Sequence, residues 1–128
     1  MSCCFTKNEL SEAIRTLNSS ISKCEKAKTK LNASSSQYKW VNRQLDALYL
    51  SVKLIARELE EQDNSIGEYS LLKLSEAAET IKHLSLKMEE MLERFMDKSP
   101  QRTLAIKRKQ AFSSVLYLID REIQSISK

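Results

Sequence analysis

Residues 11–61 of this 128-residue chain lie over residues 75–125 without a gap, with 13 identities in 51 positions. The match opens on Ser-Glu-Ala at 11–13 and 75–77, passes through Ser-x-Gln at 35–37 and 99–101, and closes on Leu-Ile-x-Arg-Glu at 54–58 and 118–122. Helix-rich sequences share residues by chance, but here the interruptions align as well: "ASSSQ" in the first copy falls where "KSPQ" falls in the second. Self-similarity at a fixed offset marks a repeated supersecondary unit. An offset of 64 gives two copies, each with one internal break.

The unit is helical. One Gly and one Pro in the whole chain are too few for a sandwich or barrel, which needs turn residues every 8–12 positions or so. Apolar residues recur at Tyr38, Val41, Leu45, Leu48, Val52, Ile55 and Leu59, alternating spacings of three and four that place all seven on one helix face. Leu74, Ala77, Ile81, Leu84, Met88, Met91 and Phe95 repeat the habit; Ala105, Phe112, Leu116, Ile119, Ile123 and Ile126 follow it, with Lys109 interrupting. The first segment carries a narrower stripe through Leu10, Ile14, Leu17, Ile21, Cys24 and Leu31. Thr6 with Glu9, Ser34 with Gln37 and Ser65 with Glu68 have capping-box spacing, and Ser99-Pro100 joins a cap to a first-turn proline. Helices are therefore expected near 7–31, 36–63, 68–97 and 100–127, in hairpins spanning 7–63 and 68–127 of a single domain. Four long helices of matched length with short links imply an all-α, antiparallel up-down four-helix bundle. The first five residues are expected to be loosely held.

Catalytic chemistry is poorly supplied. His83 is the only histidine, so the Glu-x-x-His pairs of a two-metal bundle cannot be assembled; there is no Cys-x-x-Cys, and Gly67 alone makes no phosphate loop. Cys24 and His83 are a formal nucleophile pair, but Cys24 continues a core stripe. No catalytic, cofactor or metal residue is expected. An odd set of three cysteines with Cys3 and Cys4 adjacent suits reduced thiols in a cytoplasm. The start "MSCCFTKNEL" lacks the basic and apolar segments of a secretory signal, and no apolar run reaches the length of a membrane span.

Charge is unevenly placed. In an up-down bundle the two hairpin loops share one end. Residues 23–43 bring Lys23, Lys26, Lys28, Lys30, Lys39 and Arg43 against Glu25 alone. Residues 87–109 bring seven cations, including Arg102, Lys107, Arg108 and Lys109, against four carboxylates. With an overall charge of +4, the rest of the molecule is net acidic. Glu58, Glu60, Glu61 and Asp63 crowd a helix C-terminus, and Lys107, Arg108 and Lys109 sit near a helix start, both against the helix dipole. A basic patch for an acidic protein surface, nucleic acid or anionic headgroups is one reading; a solvated face is the other. Only Tyr38 and Trp40 interleave with the cations, weak support for stacking on single strands.

A second apolar stripe remains after the core faces are assigned. Trp40, Ala47, Leu50 and Leu54 fall on a flank of the second helix, and their repeat counterparts are Leu104, Ala111, Ser114 and Leu118. Three arrangements account for it: a splayed bundle that buries both flanks, a homodimer interface, or a dock for another protein anchored by Trp40. The expectation is a non-catalytic protein-binding or regulatory bundle that docks through this flank. The alternatives are a toxin-neutralising immunity protein and a nucleic-acid-binding accessory protein.

Overall fold

The structure is a computed structural model that describes residues 5–60, 70–94 and 100–127. The described residues form four α-helices: α1 (Lys7–Lys28), α2 (Ser36–Glu60), α3 (Leu71–Arg94) and α4 (Pro100–Ser127). α1 packs on α2 and α3 on α4 as two hairpins; α1 against α4 and α2 against α3 close the four-helix bundle. α2 and α4 also touch across one diagonal, whereas α1 and α3 do not. The cross-section is a rhombus with α2 and α4 on its short diagonal.

The helix starts follow local chemistry. Thr6 accepts from the Glu9 amide at 3.0 Å while the Glu9 carboxylate accepts from the Thr6 amide at 2.9 Å, the reciprocal capping box the sequence predicts. The next cap is displaced by one residue: Ser35, not Ser34, accepts from the Tyr38 amide at 3.1 Å, because Ser34 is held by Asn32 Oδ1 through both its amide and its hydroxyl. α1 ends at Lys28 rather than 31. Its last turn tightens as Lys30 and Leu31 donate back to Ala27 and Lys28, and the Thr29 hydroxyl donates to Lys26 O at 2.7 Å. Ser70 caps α3 through the Lys73 amide, so that helix begins at Leu71 rather than 68; the expected Ser65–Glu68 box lies outside the described residues, as do Ser99, Phe95, Cys3 and Cys4. Pro100 opens α4 as expected.

The core contains the predicted faces and more. Leu17, Ile55, Leu74, Ile81 and Ile119 are fully enclosed. Ile126, expected inside, is 42% exposed because it lies in the final turn of α4. Ser51 and Val115, in neither predicted stripe, are both at 0% exposure. They are repeat equivalents lying between the two apolar flanks of their helices. Ser51 avoids an unsatisfied hydroxyl by donating to Ala47 O at 2.6 Å.

Candidate functional site

Most of the second apolar stripe is core. Ala47, Leu50, Leu54, Ala111 and Leu118 are each no more than 6% exposed within the single chain. This corrects the expectation of an interface there: α2 and α4 face each other across the short diagonal, so each buries two flanks and leaves nothing of these five residues to present to a partner. Only the stripe's end stays accessible. Leu104 is 39% exposed, and Trp40 is half-buried with its ring edge-on to His83 at 5.2 Å. His83 and Cys24, the formal nucleophile pair, are not brought together as a site: Cys24 donates to Gln44 Oε1 at 3.5 Å.

The far end of the α2–α4 seam is closed by charge. Arg57 forks onto both oxygens of Glu122, and Arg121 forks onto both oxygens of Glu58. Each pair joins one hairpin to the other, and the pairs exchange under the 64-residue offset. The two hairpins are thus related by a local pseudo-twofold axis running along the bundle. For Glu58, near the end of α2, the compensating cation is Arg121 from across the seam.

The opposite, basic end is not closed in this way. Among the described residues, Lys109 pairs with Glu89 at 2.8 Å, Arg102 donates to Leu92 O at 3.0 Å, and Lys28 lies over the Tyr38 ring at 5.6 Å. Lys23, Lys26, Lys30, Arg43 and Lys107 are exposed and have no ion-pair partner among the described residues.

Between the helices at this end lies a pocket of about 180 Å³. Its deeper lining pairs Leu48 with Phe112, Cys24 with Met88 and Gln44 with Arg108; Ser20 with Leu84 and Lys23 with Lys87 complete it. Each pair is related by the 64-residue offset, so the lining maps onto itself when the hairpins are exchanged. A pocket with that property sits on the pseudo-twofold axis. Burial lowers the Arg108 guanidinium from its ordinary pKa, with Cys24 opposing the shift, and the Arg108 Nε is buried with no hydrogen-bond partner. Burial likewise raises the Cys24 thiol, partly offset by Arg108. Sequence reasoning placed Arg108 in the basic patch and Cys24 in the core; the offset makes Gln44 the equivalent of Arg108 and Met88 that of Cys24, and it is helix packing that brings all four to one cavity. Two open grooves, between α2 and α3 and between α1 and α4, also exchange under the offset, with Ala47, Ala77 and Thr80 in one matched by Ala111, Ala13 and Thr16 in the other.

No group of three or more metal-ligating side chains occurs among the described residues, and none of their helices is long and apolar enough to cross a membrane. No family model matches the sequence, and no curated protein or solved structure shows significant similarity to it.

Proposed function

We propose that the chain is a non-catalytic binding protein that docks an acidic surface of another protein through its basic end. One observation supports this reading: Arg57–Glu122 and Arg121–Glu58 pair charges across the seam at one end, whereas toward the other Lys26, Lys30, Arg43 and Lys107 have no ion-pair partner among the described residues. Unpaired like charges gathered toward one end repel each other and raise the encounter rate with a surface of opposite sign. Nucleic acid is the weaker reading, since the two rings that interleave with the cations are already engaged, Trp40 in a T-shaped contact with His83 and Tyr38 beneath Lys28, which weakens the case for base stacking. A cytoplasmic setting accords with the free thiol of Cys24.

The test is a triple reversal, Lys26→Glu, Lys30→Glu and Lys107→Glu, compared with the unaltered chain in affinity capture from host lysate and in binding to duplex and single-stranded DNA. The docking reading expects acidic proteins to be lost from the captured set while the helical signal is unchanged. Affinity for DNA that falls steeply with salt and vanishes in the triple variant would transfer the basic end to nucleic acid.

A further inference from the structure

We propose that the axial pocket at the basic end is a binding site for a small organic anion, a carboxylate carried on a short apolar chain. Three features of the pocket converge on that chemistry. Its floor is apolar, made by Leu48, Leu84, Met88 and Phe112. Its upper lining holds Lys23, Lys87 and Arg108, with no carboxylate in the lining. The Arg108 Nε is buried with no hydrogen-bond partner among the described residues, so the desolvation of this guanidinium is uncompensated in the free protein. A guanidinium edge takes a carboxylate in a two-point fork, and the two lysines, related by the axis, approach the same anion from opposite hairpins.

The volume bounds the ligand. At about 180 Å³ the pocket is well below the roughly 300–1,000 Å³ that encloses drug-sized molecules, so the apolar part is a few carbons rather than a long acyl tail. A bare, strongly hydrated anion meets the cations but leaves the floor unused. The two-fold lining differs chemically where it matters most: Gln44 stands where Arg108 stands in the other hairpin. The carboxylate is therefore drawn off the axis toward α4, with the Gln44 amide facing it.

This inference does not rest on the docking reading, because Arg108→Gln leaves Lys26, Lys30 and Lys107 in place. That variant is also well suited to the fold, since the equivalent position already holds glutamine. The experiment titrates the full chain with sodium hexanoate, its neutral isostere hexanamide, and inorganic phosphate. Binding is followed by the Met methyl and Arg Nε–H resonances, and by protection of Cys24 from alkylation in a Cys3→Ser, Cys4→Ser background. Hexanoate is expected to shift the Met88 and Arg108 signals and protect Cys24, ahead of both controls. Arg108→Gln should weaken it about tenfold, Arg108→Lys by less, and Lys23→Gln or Lys87→Gln about two- to threefold each. Equal binding of hexanamide or phosphate, shifts that map away from Met88 and Arg108, or an affinity indifferent to Arg108→Gln in a folded protein would overturn the proposal.

Discussion

Arg57 of α2 and Glu122 of α4 stand 65 residues apart in sequence and clasp each other with only 14% of either side chain exposed. Their repeat equivalents, Arg121 and Glu58, make the reciprocal pair with the arginine more exposed, at 39%. Removing one partner of an enclosed pair strands the other charge. Arg57→Ala is therefore expected to lower stability by about 2 kcal/mol, and Arg121→Ala, better solvated, by about 1 kcal/mol or less. The exchange Arg57→Glu with Glu122→Arg should recover most of the first loss. Urea denaturation of the four proteins measures this; additive losses with no recovery would mean the clasp contributes nothing.

Leu54 and Leu118 are at 1% and 2% exposure in the α2–α4 seam. Each truncation to Ala is expected to cost about 3 kcal/mol through lost burial and the cavity left behind. Leu54→Glu should abolish cooperative unfolding by placing a carboxylate in the core. Circular dichroism melts with sedimentation velocity decide the matter: a well-folded variant whose only change is loss of self-association would return this residue to an intermolecular interface.

The Cys24 thiol is raised by burial and held down in part by Arg108. At mildly alkaline pH it is expected to alkylate more slowly than the same thiol in the unfolded chain, and more slowly again in Arg108→Gln. A folded pKa above the unfolded one means the protonated thiol contributes stability that is fully present below the unfolded value. That contribution is lost as pH rises through the folded value. Stability measured against a Cys24→Ser reference should accordingly fall as pH rises from the unfolded thiol's pKa through the folded one and then level off; a difference independent of pH would count against it.

Tyr49 donates to Glu25 Oε2 at 2.6 Å, and this hydrogen bond raises the phenol from its ordinary pKa. Glu25→Gln removes the charged acceptor, so Tyr49 should ionise at lower pH. The ultraviolet phenolate titration, compared with a Tyr49→Phe control, reads the shift directly, and no movement would show that the bond is not kept in solution.

The hairpin architecture was legible because it rests on local rules: period, capping and aligned breaks all lie within one stretch of chain. The role of the second stripe was not, because periodicity treats each helix alone. Whether Leu54 faces solvent or a neighbour depends on α4, which begins 46 residues further along the chain. Ser51 escaped notice for a related reason: a serine between two apolar flanks looks like a boundary until the flanks prove to be one wide buried arc. Arg57 finds its partner, Glu122, on another helix 65 residues away, beyond the reach of any local spacing rule. The Arg-Glu dipeptide repeated at 57–58 and 121–122 was the visible trace of the reciprocal clasp; the pocket, lined from all four helices, left no such trace.

Each hairpin carries an arginine followed by a glutamate at its share of the seam, and so holds both halves of the clasp. Such self-complementarity defines an isologous interface, in which residue i meets j and j meets i between two identical subunits. The bundle has the form of a dimer whose subunits have been fused end to end. Fusion frees the two copies to diverge without losing stoichiometry. At Gln44 and Arg108 they have done so, turning a site that identical subunits would be forced to share evenly into one with a single preferred direction.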